Sequence, residues 1–114
     1  MQTLLQQHEI NSEELEKLLG ARAEGKADFL LVDVREDMEY DAGHIKGVDM
    51  LKPTTSFQQW AHELLTQTKD KKVIFTCRTG SRSAQVQSVF KQNGHNGAVN
   101  HYGGIVTYRG AVER

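Results

Sequence analysis

Two short segments govern what this chain can become. Phe29-Leu30-Leu31-Val32-Asp33-Val34 and Lys72-Val73-Ile74-Phe75-Thr76 are apolar through their middles, too short for buried helices, and run into polar residues. A strand apolar on both sides needs cover on both sides, the environment of a parallel sheet packed between helices. The intervening segments supply those helices. Asn11-Ser12-Glu13-Glu14 has the form of a capping box, with Asn11 as N-cap and Glu14 at N3. The stripe of Leu15, Leu18 and Leu19 behind it is expected to stop near Gly20. Phe57, Trp60, Ala61, Leu64 and Leu65 recur at helical spacing and predict an amphipathic helix capped by Thr55 or Ser56, with Phe57 and Trp60 as core residues. Val86, Val89 and Phe90 predict another helix, ending at Asn93-Gly94.

Val48-Asp49-Met50-Leu51 and Ala98-Val99-Asn100-His101 read as further short strands. The polar stretch from Arg35 to Gly47 has room for about one helical turn around Asp37 to Asp41. Gly103-Gly104-Ile105 opens a last turn or short helix. With no repeat, linker or low-complexity run, strands joined by helices predict an α/β fold in one domain over residues 1–114, with a mainly parallel sheet and helices on both faces. Ligands of such sheets bind at the carboxyl ends of the strands. Cys77 lies at one of those ends and Asp33 to Arg35 at another.

Composition narrows the function. Fourteen basic residues against fifteen acidic give a formal charge of −1, so nucleic acid is not an expected partner. A single cysteine rules out an internal disulfide, and neither the cysteine nor the histidines (His8, His44, His62, His95, His101) show metal-site spacing. A reducing compartment is the expectation. The segment Met1 to His8 has neither a basic stretch nor a long apolar run, and no membrane span follows, so a cytoplasmic location is expected.

The chemistry concentrates in Cys77-Arg78-Thr79-Gly80-Ser81-Arg82-Ser83, a polar turn between the strand ending at Thr76 and the helix that follows. A sulfur there lies under backbone N–H groups and the positive end of a helix dipole, both of which favour thiolate. Gly80 allows the tight path. The Ser81 and Ser83 hydroxyls are candidates to donate to sulfur or to cap the helix. Arg78 and Arg82 are expected either to attract an anionic substrate or to serve as surface charge or an ion pair with a nearby carboxylate. Asp33 and Arg35, two residues apart, point the same way if the strand continues, and either line the rim of the pocket or form an ion pair that braces the neighbouring loops. His44 has the chemistry of a general base.

Three segments together resemble the rhodanese family of sulfurtransferases in its single-domain form. Leu31-Val32-Asp33-Val34-Arg35-Glu36 with Glu39-Tyr40-Asp41-Ala42-Gly43-His44-Ile45-Lys46-Gly47 is similar to the family's amino-terminal signature. The Cys77 to Ser83 loop is similar to its active-site loop, and Gly103-Gly104-Ile105 to its carboxy-terminal signature, with Tyr108 where tryptophan is common. The resemblance implies a five-stranded, mainly parallel sheet, no cofactor, and a Cys77 persulfide as covalent intermediate. The sulfur would pass from an anionic donor such as thiosulfate or polysulfide to cyanide, a small thiol or a protein thiol. It places His44 in a structural turn, and Tyr102 and Tyr108 near the pocket edge. Two alternatives stay open: a persulfide carrier serving a protein partner, and a cysteine phosphatase or arsenate reductase. The latter enzymes have five residues between nucleophile and anion-binding arginine, whereas four separate Cys77 from Arg82.

Overall fold

The computed structural model describes residues 2–114. Along the chain lie α1 (Gln2–Leu5), β1 (Glu9–Ile10), α2 (Ser12–Ala23), β2 (Leu30–Asp33), α3 (Asp37–Ala42), β3 (His44–Ile45) and β4 (Met50–Leu51). A 3-10 turn at Thr54–Ser56 leads into α4 (Phe57–Gln67), then β5 (Val73–Thr76), α5 (Ser81–Gln92) and β6 (Ala98–His101). A second 3-10 turn, Ile105–Thr107, precedes β7 (Val112–Glu113). Five strands form one sheet in the order β1-β6-β5-β2-β4, and every pairing in it is parallel. β3 and β7 make a separate antiparallel ribbon.

Alternation along the strands divides the core. Val73 and Phe75 of β5 and Val32 of β2 face α4 and α5, where they pack with Trp60, Leu64, Val86 and Phe90. Ile74, Leu31 and Val99 face the other way, onto Leu5, Leu15 and Leu18 of α1 and α2. Phe75 and Phe90 meet edge to face with centroids 5.0 Å apart, which locks α5 over β5. The α/β class, the five strands and the helices on both faces therefore agree with expectation.

Several local expectations need correction. α2 does not stop near Gly20 but runs to Ala23. Gly20 has open space around it, and Gly25, at φ +76°, lies just beyond the Glu24 C-cap as the residue that turns the chain away. The capping box of Asn11 and Glu14 is present, and Ser56 is the N-cap residue of α4, but its side chain makes no capping hydrogen bond. The Thr55 hydroxyl instead donates to a Glu36 carboxylate oxygen at 2.5 Å, and that of Ser56 to the Pro53 carbonyl at 3.2 Å. β1 and the β3–β7 ribbon carry too few residues to show a period, and both escape sequence reasoning. Among the described residues, no helix is long and apolar enough to cross a membrane.

Candidate active site

β5 ends at Thr76 in the middle of the sheet, and α5 begins at Ser81, so only four residues make the turn. That turn requires glycine at position 80. Gly80 has φ +97°, and a Cβ there would lie 3.0 Å from the Gly103 nitrogen and 3.3 Å from the His101 carbonyl oxygen. The geometry aims backbone donors inward. Cys77 Sγ accepts hydrogen bonds from the Gly80 N–H at 3.1 Å, the Ser83 N–H at 3.4 Å and the Ser83 hydroxyl at 3.4 Å. Burial, at 1% exposure, pushes the Cys77 thiol up. The Ser83 hydroxyl and the N–H groups of Ser83, Gly80 and Thr79 pull it down and prevail, so the thiol lies below its ordinary value. The sulfur sits on the floor of a cradle of neutral dipoles.

The cradle is braced from β6 and the loop after it. Asn100 donates through Nδ2 to the Gly80 carbonyl at 3.3 Å. Ile105 N–H donates to the Cys77 carbonyl at 2.9 Å, and Val106 N–H to that of Arg78 at 3.2 Å. Gly104 packs so closely that a Cβ would stand 2.3 Å from the Arg78 carbonyl oxygen, which explains the glycine. Beneath this contact His101 is fully buried, with Nδ1 2.7 Å from the Thr76 hydroxyl and Nε2 2.8 Å from that of Ser12. The Ser12 hydroxyl continues the chain to Thr107 Oγ1 at 2.7 Å. Burial lowers the His101 imidazole to about 4, so at neutral pH the ring is uncharged and serves as one donor and one acceptor between hydroxyls. His101 shows no catalytic spacing in the sequence, because its partners come from β5 and α2.

The charged candidates divide into two groups. Arg78 is exposed beside Cys77, and among the described residues no carboxylate lies within ion-pair distance of it. Arg82 is not free. Its guanidinium makes a two-pronged contact with Glu39 of α3, Nη1 to Oε1 at 2.7 Å and Nη2 to Oε2 at 2.9 Å. The Arg82 hydrogen bonds hold the Glu39 carboxyl down to about 2 against the opposing effect of burial, with the Glu36 N–H and the Arg35 charge assisting. Of the two readings open for the arginines, Arg82 takes the ion pair: it already has an anion. Glu39 was not singled out in the sequence, since a contact spanning 43 positions leaves no local signal.

Asp33 and Arg35 form the brace rather than the rim. Arg35 donates to both Asp33 carboxylate oxygens, with Nη2–Oδ2 at 2.8 Å, and to the carbonyls of Gly43 at 2.8 Å and Glu39 at 3.3 Å. Both side chains are buried, and together they fix the α3 segment that carries Glu39. His44 stacks on Tyr40 at 3.9 Å, its Nδ1 lies 3.1 Å from the Tyr40 carbonyl, and its Nε2 lies 3.6 Å from Glu113. It belongs to the β3–β7 ribbon, as a structural turn should. Thr79 on the loop and Ser81 at the start of α5 are exposed. Tyr102 is 62% exposed, with its backbone against Gly80. Tyr108 instead packs with the α2-side core, edge-on to His101, so its place at the pocket edge is corrected.

The chain is 39% identical over 83 residues to the tRNA uridine(34) hydroxylase of Acinetobacter baylyi, covering 71% of this chain and 26% of that protein. It is 32% identical over 105 residues to the Bacillus cereus protein of that name, covering 89% and 32%. It therefore spans about a quarter to a third of the length of these relatives. A rhodanese-like domain protein from Staphylococcus aureus superposes with a TM-score of 0.75 at 27% identity, over 94% of this chain and 97% of that one. Residues 12–111, which include every brace and donor of the Cys77 cradle, match the rhodanese-like domain, and the chain belongs to that family.

Proposed function

We propose that this domain is a sulfurtransferase that carries a sulfane sulfur as a persulfide on Cys77. The observation that carries this reading is the convergence of two N–H groups and one hydroxyl on Cys77 Sγ. These donors favour the thiolate before attack and suit the terminal sulfur anion after it. In the first step the thiolate attacks the outer sulfur of thiosulfate or a polysulfide. The Cys77–sulfur bond forms as the donor's S–S bond breaks, and the electron pair leaves with sulfite or the shortened polysulfide. Cyanide, a small thiol or a protein thiol then attacks the outer sulfur and restores the Cys77 thiolate. Arg78 attracts the anionic donor. The phosphatase alternative loses ground, because the arginine that would grip a phosphate is already engaged with Glu39.

Thiosulfate without acceptor should release one equivalent of sulfite per chain by this covalent logic, with turnover to thiocyanate beginning when cyanide is added. If neither thiosulfate nor polysulfide loads the wild-type protein, the proposal is wrong. A second reading rests on the 39% identity to a tRNA uridine(34) hydroxylase: the domain serves a tRNA-directed reaction within a longer chain. A formal charge of −1 argues that this portion does not itself hold the polyanion. A gel-shift titration with tRNA should show no complex at physiological salt. A tight, salt-sensitive complex would favour the second reading.

A further inference from the structure

We propose that Asn100 is a positioning residue for Cys77: by holding the Gly80 carbonyl from the sheet, it keeps the N–H groups of the loop aimed at the sulfur. This deepens the sulfurtransferase reading and rests on it for the use made of the thiolate. Asn100 lies on β6, opposite Glu9 of β1 and Phe75 of β5, so its backbone is fixed from both sides. The residue is 3% exposed, and its Nδ2 donates to the Gly80 carbonyl at 3.3 Å. Among the described residues, Asn100 Oδ1 is the one buried side-chain polar atom without a hydrogen-bond partner. The Gly80 carbonyl accepts and cannot donate, which fixes the orientation of the amide and leaves Oδ1 on the unpartnered side. A buried acceptor left unpaired destabilises the fold, so a leucine of similar shape would fold at least as well. The donor is what asparagine adds at this position.

The Gly80 carbonyl does not need that donor for its own sake, because the Ala84 N–H already reaches it at 3.1 Å as the first hydrogen bond of α5. What the second bond adds is direction. The front of the loop is tied by Ile105 N–H on the Cys77 carbonyl and Val106 N–H on that of Arg78. Those contacts stop short of Gly80, which has φ +97° and supplies the shortest donor to Sγ, at 3.1 Å. A glycine peptide turns freely where nothing holds it. Asn100 fastens the carbonyl that follows the Gly80 Cα, so the N–H that precedes it stays on the sulfur. Ser83 N–H, three residues on, is held with it. General attachment of α5 to the sheet falls to Gln87, which is 2% exposed in the middle of the helix. Its Nε2 donates to the Ala98 carbonyl at 3.1 Å and to that of His8.

The test follows the pH dependence of Cys77 alkylation by iodoacetamide, which reads the thiol directly and needs no sulfur transfer. Asn100→Leu removes the donor and the unpaired acceptor together. It should move the alkylation profile to higher pH and slow the reaction about threefold near neutral pH. The rate at high pH, where all of the sulfur is thiolate, should not fall. Gln87→Met loosens α5 without touching Gly80, so it should lower the urea-unfolding midpoint and leave the profile in place. Asn100→Ala carries the same comparison if the leucine variant does not fold. An Asn100 profile that coincides with wild type, a matching shift in Gln87→Met, or failure of both Asn100 variants to fold overturns the proposal. In parallel, sulfite release from thiosulfate should slow in step with alkylation. A shifted alkylation profile in a protein that takes sulfur from no donor, wild type included, would instead overturn the sulfurtransferase reading, while the role of Asn100 at Cys77 stands.

Discussion

Asp33 and Cys77 end neighbouring strands: β2 and β5 pair with Asp33 opposite Thr76, and Cys77 is the next residue. Both positions are about 1% exposed, yet the chain surrounds them in opposite ways. Asp33 receives a full cation, with Arg35 locked onto it through several hydrogen bonds and no room for a ligand. Cys77 receives only N–H and O–H dipoles. A formal counter-charge makes a joint, which holds loops. Neutral dipoles stabilise an anion without capping it, so the sulfur keeps its nucleophilicity. The two arginines nearest Cys77 repeat the lesson, since Arg82 is committed to Glu39 while Arg78 is not.

Breaking the joint should have the largest effect. Arg35→Met leaves a carboxylate buried without its partner and should cost about 3–5 kcal/mol in urea denaturation. A loss below about 1 kcal/mol would mean that Asp33 is not held as described. Next comes His101, whose ring burial keeps neutral. Its folded value of about 4 lies below the ordinary 6.5, so the unfolded chain takes up a proton first as pH falls. The associated stability is complete above pH 6.5 and is lost as pH drops toward 4, spanning roughly 3 kcal/mol. Unfolding curves across that window should show the slope, and His101→Gln should remove it. A second acid limb follows from Glu39, whose carboxyl lies near 2 instead of 4.5. Stability from the Arg82 pair is present above pH 4.5 and fades as pH falls toward 2.

The cradle variants should move stability less and reactivity more. Gly80→Ala forces a side chain into left-handed backbone and against Gly103, costing about 1–2 kcal/mol and slowing Cys77 alkylation as the Gly80 N–H is displaced. Ser83→Ala should be the mildest for folding, within about 1.5 kcal/mol. It removes the Oγ donor and so raises the Cys77 thiol, shifting the pH profile of iodoacetamide alkylation upward. If Ser83→Ala left that profile unmoved while Arg82→Gln shifted it, charge and not dipoles would hold the thiolate.

Much of this contrast is legible in the sequence, but unevenly. The apolar middles of β2 and β5 announce the sheet, because burial on both faces erases polar alternation. The loop from Cys77 to Ser83 announces its own geometry, because Gly80 and the start of α5 are local matters. What escaped is tertiary. Glu39 reads as a surface acid of α3 until the fold brings Arg82 to it, and His101 reads as the end of a weak strand until Thr76 and Ser12 enclose its ring. Asp33 and Arg35 permitted two readings, and only the carbonyls of Glu39 and Gly43 decide for the brace. Two-residue strands such as β1 take their register from β6, not from their own pattern.

Intact-mass analysis of the chain after exposure to cysteine hydropersulfide, polysulfide and thiosulfate tests the central claim most directly. The account predicts wild-type protein heavier by one sulfur atom, an adduct discharged by cyanide or a thiol, and none on Cys77→Ser. A wild-type mass unchanged by all three donors, or an adduct that persists in Cys77→Ser, would contradict it.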